Sequence, residues 1–404
     1  MVLEGWRGSR AAAGRGRVCH REVGKVTSAV VMVVLVALAA CTGQDVPPPT
    51  SSAPPPVSIA FDPGDGAANV PPLQPVRVTA SNGRLVDVVM TNEEGRQVAG
   101  QLAPDGGGWA AAEPLGYGRT YTLTATGEGR DNRPVTSKAT FTTVKPAAML
   151  TVATDPAEGE VVGVGQPIVL VFDGPVANKD VAEQSVRITT TPAVDGAFHW
   201  FDDQQLHWRP REFWPVGTQV SVDARVYGRD FGNGAYGAED RRTNFVVGNA
   251  FVATADGATH QMTVTINGEL VNAMPISMGS PDFPSNNGVH VVTERHSQFL
   301  MDSTTYGLPL EQGGYRMLVD WATRISNGGE FVHSAPWSVG DQGRRNVSHG
   351  CINLAPGYAK WFHDTVKKGD VVIVTNSGGP ALQWWDGYGD WQVPWETWVL
   401  GGRR

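Results

Sequence analysis

Asn346–Pro356 reads NVSHGCINLAP and places Cys351 between His349-Gly350 and Ile352-Asn353. The 404-residue chain has three cysteines. Cys19 precedes an apolar run and Cys41 follows it directly, so Cys351 is the lone thiol of whatever folds beyond them. Without a disulfide partner there, this thiol reads as chemical rather than structural. A cysteine nucleophile needs a base to take its proton and donors to hold the oxyanion that forms. Gly350 lets backbone approach a substrate carbonyl closely. Position 351 lies on a loop leading into an expected helix, where backbone N–H groups would lower the thiol pKa. The candidate bases are His349 and His333, the latter in GEFVHSAPWS. A residue next to the nucleophile in sequence usually points elsewhere, which favours His333.

Two bland alternatives stand beside this one. His333, His349 and Cys351 with His363 could form a zinc set, but no pair has the usual ligand spacing, so no metal is assigned. Cys351 as an inert buried thiol leaves the flanking His-Gly unexplained.

Downstream, APGYAKWFHDTVKKG (Ala355–Gly369) predicts a helix. Leu354, Tyr358, Trp361, Phe362 and Val366 recur at helical spacing, Lys367 and Lys368 fall in the last turn, and Gly369 stops it. From Pro380 onward come Trp384, Trp385, Trp391, Trp395 and Trp398, which argue for an ordered tail packed on a neighbouring domain. Upstream, QMTVTINGELVNAMPIS is a hairpin signal around Asn267-Gly268, the pair favoured in a type I′ turn.

Earlier still, VRVTA, VDVVM, YTLTATG and ATFTTV alternate apolar with polar or β-branched residues, punctuated by SNGR, NEEGR and PDGGG. A second unit repeats the texture with PIVLVFD, SVRITTT, QQLHWRP and TQVSVDARVYG, and its opening echoes that of the first. Two β-sandwiches of immunoglobulin-like size follow, at 57–147 and 148–248, neither with the cysteine pair of antibody domains. The expected fold class is mostly β. The 49 Gly and 28 Pro and the 18% charged residues suit short strands with tight turns.

Arg7, Arg10, Arg15, Arg17, Arg21 and Lys25 precede the apolar run Thr27–Ala40, which is too short to span a bilayer comfortably but fits a signal peptide over 1–40. Residues 42–56, TGQDVPPPTSSAPPP, form an extended tether. Removing 1–40 takes the formal charge from −8 to −12 and leaves no Lys/Arg run, which excludes nucleic acid as a natural partner.

Leu38-Ala39-Ala40-Cys41 resembles the lipobox of bacterial lipoproteins, which implies lipidation at Cys41 and anchorage on the extracytoplasmic face of the cell membrane. VHSAPWS followed by SHGCIN, with fourteen residues between His333 and Ser348, resembles the signature of L,D-transpeptidases with the YkuD-type catalytic domain. The likeness covers the chain, because actinobacterial members join a lipoprotein-like start, two immunoglobulin-like domains, a catalytic domain (here 249–379) and a Trp-rich extension (380–404). The resemblance implies a cofactor-free enzyme that forms 3→3 cross-links between a donor tetrapeptide and an acceptor stem of peptidoglycan. It assigns Cys351 as nucleophile, His333 as the base that makes the thiolate–imidazolium pair, and the Ser334 carbonyl as its orienting group. It implies an oxyanion hole from the N–H groups of Gly350 and Cys351, with Tyr315 as an added donor. It implies that His349, Ser348 and Asn353 shape the loop and cleft, that Met301 and Trp337 line the cleft, and that carbapenem β-lactams acylate the same sulfur. The segment Thr304–Arg316 is the candidate lid.

The motif leaves an L,D-carboxypeptidase or a transferase that attaches proteins to the wall open, since both use the same thioester. A wall-binding module with a vestigial site is the alternative from another class. Both sandwiches read as a spacer, which predicts that residues 249–404 fold alone.

Overall fold

The computed structural model describes residues 55–402. The expected signal peptide, Cys41 and most of the tether lie outside the described residues. The chain is mostly β, and alternation explains why: in Thr120–Gly129, Tyr121, Leu123 and Ala125 are buried while the residues between them are partly exposed.

In the first sandwich, Ser58–Asp62, Arg77–Ser81, Gly108–Ala111 and Gly100–Leu102 form one sheet in that order. Gly83–Asn92, Thr120–Gly129 and Pro134–Thr142 form the other, and Val78, Met90, Trp109, Leu123 and Phe141 belong to the core. The second sandwich packs two four-stranded sheets around Phe172, Trp200, Phe231 and Phe245.

The third unit has two sheets. The first runs Glu269–Pro275, Gln261–Ile266, Phe251–Asp256, Val371–Thr375, Gly288–Val291. Its hairpin turns at Asn267 (φ 53°) and Gly268 (φ 85°), both left-handed as a type I′ turn demands. The second sheet runs Glu294–Asp302, Arg316–Arg324, Phe331–Ser334, Ile352–Leu354. Two 3-10 turns, Ser303–Tyr306 and Leu310–Gln312, form the candidate lid between its first two strands.

The helix occupies Pro356–Thr365, with Pro356 in the first turn, where its missing N–H is harmless. It buries Ala359 and Phe362 and packs on strands Arg316–Arg324 and Phe331–Ser334. It stops earlier than its sequence suggests: Val366 is extended and buried, so Lys367 and Lys368 lie beyond the last turn. Lys367 pairs with Asp370, and Lys368 reaches Asp155 and Glu160 of the second sandwich; these partners draw the chain out of the helix.

The Trp-rich tail is ordered, with a 3-10 turn at Gly389–Gln392 and a short helix at Trp395–Trp398. It packs chiefly on the second sandwich. Trp398 is fully buried, stacks on His199 at 4.6 Å and donates its indole N–H to the Ala197 carbonyl at 2.8 Å. Arg209 lies over the rings of Trp391, Trp395 and Trp398 at 4.7, 5.4 and 4.5 Å.

Candidate active site

The strands Phe331–Ser334 and Ile352–Leu354 pair in parallel, with Val332 opposite Ile352 and His333 opposite Asn353. That register brings the candidate base beside Asn353, two residues after Cys351. Cys351 precedes a strand, and the helix begins only at Pro356. The expected help from a helix N-terminus is therefore absent.

Burial dominates the electrostatics. The Cys351 thiol, 4% exposed, is pushed up to about 12 by loss of water, with hydrogen bonding from the Phe331 backbone the leading opposing effect. His333, 3% exposed, is pushed down to about 4, again by burial, against its bond to Ser334. The resting pair is neutral thiol and neutral imidazole, which corrects the expectation of a thiol acidified by its loop. The sequence cue concerned backbone N–H groups, whereas the fold removes the water that would stabilise the anion.

The His333 ring Nδ1 lies 2.9 Å from the Ser334 carbonyl oxygen. A carbonyl only accepts, so Nδ1 carries the proton and Nε2 keeps its lone pair. Ser334 thus fills its expected place through its main chain. Cys351 Sγ donates to the Gly329 carbonyl at 3.6 Å.

Gly350 has φ +114°, a conformation that suits glycine. Its carbonyl accepts from Ser285 Oγ at 2.7 Å and its N–H donates to Ser348 Oγ at 3.2 Å. The expected oxyanion donor at Gly350 is therefore engaged at rest. Ser348 Oγ in turn donates to the Cys351 carbonyl at 2.6 Å, which makes Ser348 the brace of this loop.

A cleft of about 310 Å³ opens over the sulfur, and Met301, Tyr315, His333, Trp337, Ser348, His349, Cys351 and Asn353 all line it. Met301 also packs in the small core around Cys351 with Val319, Ala322 and Phe331. Trp337 is 53% exposed, its ring 5.9 Å from that of His333. His349 is exposed and lies between the rings of Phe283 and Tyr315 at 4.7 and 5.2 Å, a placement that suits a wall rather than a base. Tyr315 is held far above its ordinary phenol range by burial and then by Cys351, so its hydroxyl stays a donor. Asn353 donates to Ser338 Oγ at 3.1 Å, and its side chain also hydrogen-bonds the His333 ring, which favours the charged imidazole against burial.

Met317, Ser338, Asp341 and Val347 also line the cleft; Ser338 closes VHSAPWS, and none of the four was assigned a role from sequence. Glu330, beside the Gly350 loop, was missed as well. Burial raises its carboxyl to about 7; Oε1 accepts from the Asn286 N–H at 2.7 Å and Oε2 lies 3.6 Å from His290 Nδ1.

Residues 250–374 match the family described as the L,D-transpeptidase catalytic domain, and residues 67–230 match the bacterial Ig domain family. The chain is 48% identical over 341 residues to L,D-transpeptidase 2 of Mycobacterium tuberculosis strain CDC 1551, covering 84% of this chain and 83% of that protein. It is 38% identical over 377 residues to L,D-transpeptidase 5 of M. tuberculosis strain H37Rv, covering 90% of this chain and 80% of that one. Among solved structures it resembles the L,D-transpeptidase LdtMt1 in complex with imipenem, with 37% identity and a TM-score of 0.50, over 57% of this chain and 100% of that one.

Proposed function

We propose a cysteine acyl-transfer mechanism for this chain, which belongs to the L,D-transpeptidase family and is a peptidoglycan L,D-transpeptidase. The observation that carries the mechanism is the tautomer of His333: Nδ1–H is committed to the Ser334 carbonyl, so Nε2 can take a proton inside the cleft that holds Cys351. Because thiol and imidazole rest neutral, the proton moves as the bond forms. Cys351 Sγ attacks the carbonyl at the L-centre of the third residue of a donor tetrapeptide while its proton passes to His333 Nε2. The carbonyl electron pair becomes an oxyanion that faces the Cys351 N–H and the Tyr315 hydroxyl. The Gly350 N–H joins them by leaving Ser348 Oγ. One such donor contributes roughly 3 kcal/mol to the transition state.

The tetrahedral centre collapses to a thioester, and the terminal D-alanine leaves with the proton from His333 on its amine. The side-chain amine of an acceptor stem's third residue then attacks the thioester, gives its proton to His333, and releases a 3→3 cross-link. The thiol regains the proton. Met301, Trp337 and the lid over residues 304–316 shield the thioester from water.

The same sulfur opens a carbapenem ring, a reading supported by the imipenem-bound relative. Lipidation at Cys41 tethers the enzyme to the extracytoplasmic face of the cell membrane, a reading that rests on the sequence around that residue. The test incubates the protein with purified stem tetrapeptides and reads products by mass spectrometry. A cross-linked dimer with loss of one D-alanine is expected, and none with Cys351→Ala. Dimer formation by that variant would overturn the mechanism.

A further inference from the structure

The turn Ser326–Glu330 joins the strand Arg316–Arg324 to the strand that carries His333, and it bears directly on the nucleophile. Its Gly329 carbonyl accepts the Cys351 thiol proton at 3.6 Å, and the next residue but one, Phe331, supplies the backbone hydrogen bonding that favours the thiolate. One short stretch of main chain thus holds an acceptor for the neutral sulfur and a donor for the anionic one. Its sequence, SNGGE, holds the turn-forming Asn-Gly and Gly-Gly pairs, Gly329 is left-handed at φ +97°, and Ser326 Oγ accepts from the Glu330 N–H at 3.2 Å.

To these local contacts the tail adds a buried carboxylate. Asp386, 5% exposed, accepts from the N–H groups of both Asn327 (2.5 Å) and Gly328 (3.0 Å) on the same oxygen, Oδ1. A Cβ on Gly328 would lie 2.7 Å from the other oxygen, so the turn is shaped to its carboxylate. Four residues on, Asp390 is fully buried and bonds His207 of the second sandwich at 2.8 Å. The segment Asp386–Asp390 therefore ties the second sandwich to the turn beneath the nucleophile.

We infer that Asp386 is a positioning residue for the transfer reaction, setting the reactivity of Cys351 through the Asn327–Gly328 amides and the turn they belong to. This rests on Cys351 being the nucleophile. A misplacement of reacting atoms by about 1 Å lowers a rate by about 10²-fold, whereas the cleft walls that bind substrate do not touch Asp386. The charged or titratable groups around the sulfur and its turn are His333, Tyr315, His349, Asp341, Tyr306, Glu330 with His290, Arg324 and Asp386 itself.

The experiment uses the full chain. Imipenem acylation of the unaltered protein is first mapped by peptide mass: an adduct away from Cys351 would sink the nucleophile assignment and leave the Asp386 question separate. Acylation rate, its pH profile and stem-peptide KM are then measured for Asp386→Ala and Asp386→Asn. The alanine variant is expected to acylate about 10- to 100-fold more slowly with a displaced pH profile and unchanged KM. The asparagine variant, whose amide oxygen still accepts both N–H groups, is expected to recover to within about threefold. If the alanine variant does not fold, Asp386→Glu moves the oxygen by one methylene and is expected to be slowed and pH-shifted likewise. A wild-type rate and profile in the alanine or glutamate variant would overturn the inference. So would equal impairment of the alanine and asparagine variants.

Discussion

The two sandwiches share a texture but not a relation to the catalytic unit. The first meets the second through tyrosine hydroxyls: Tyr117 donates to the Gly237 carbonyl at 2.7 Å and accepts from the Gly228 N–H at 2.8 Å, and Tyr227 donates to the Leu115 carbonyl at 2.7 Å. Its hydrophobic core contains only its own residues. The second sandwich continues into the catalytic unit. Val371, a strand residue of the catalytic sheet, belongs to the sandwich core, and the Gly163 and Gly165 N–H groups donate to the carbonyls of Lys368 and Gly369, each at 2.8 Å. A Cβ at Gly163 would lie 2.2 Å from the Asp370 backbone nitrogen, so that approach requires glycine. Similar sequence patterns have produced a separable module and a structural half of the enzyme. The expectation of a spacer does not describe the second sandwich, which shares its core with the catalytic sheet.

The strongest way to break this comparison is to cut between its halves. Residues 249–404 alone lose the surface that buries Trp398, Val371 and Asp390, and they are expected to show no cooperative thermal transition. A native near-ultraviolet dichroism spectrum from that fragment would refute the shared core. Next in size, Trp398→Ala in the full chain is expected to lower unfolding free energy by about 3–5 kcal/mol, because it empties a fully buried indole site. Chemical denaturation measures it, and a loss below about 1 kcal/mol would mean that the tail merely rests on the sandwich.

The third prediction concerns Glu330. Its folded value of about 7 lies above the ordinary 4.5, so the folded state holds the proton more tightly than the unfolded state. That contribution is fully present below pH 4.5 and is lost as pH rises through 7. Asp386 adds to burial in raising the value, and His290 faces the same carboxyl. Glu330→Gln keeps an acceptor for Asn286 and removes the titration. The stability lost between pH 4.5 and 8 should shrink by roughly 2–3 kcal/mol; an unchanged difference would place the proton elsewhere. The smallest effect belongs to the first sandwich. A chain starting at residue 148 is expected to acylate with imipenem within about twofold of the full chain, read by stopped mass spectra. A large loss would make the first sandwich part of the enzyme too.

What was legible in the sequence was local. SHGCIN and VHS carry their chemistry in contiguous residues, but the parallel register that joins them appears only in the structure. Asn267-Gly268 states its turn type by itself. The tail's indoles announced order, and Trp398 is fully buried, although Trp384 and Trp385 stay exposed. What stayed hidden was pairing between single residues far apart: His207 with Asp390, Asp386 with the Asn327–Gly328 amides, Glu330 with His290. None has a periodicity or a neighbour that marks it. The helix end failed for the same reason, since Lys368 obeys Asp155 and Glu160 rather than the helical pattern around it. The protonation of Cys351 was misjudged because burial is a property of the whole fold, and it outweighs the few backbone dipoles that a loop can offer.

The central claim is that Cys351 transfers acyl groups from a neutral resting pair with His333. It is tested most directly by the pH dependence of imipenem acylation, followed by intact mass for the unaltered protein, Cys351→Ala and His333→Ala. The account predicts one adduct on the unaltered protein, none on Cys351→Ala, and a rate for His333→Ala lower by about 10²–10⁴-fold. In the unaltered protein the rate should fall on the acid side only as pH drops through about 4, where the buried imidazole gains its proton. An adduct on Cys351→Ala, or an acid limb near the ordinary histidine value of 6.5, would contradict it.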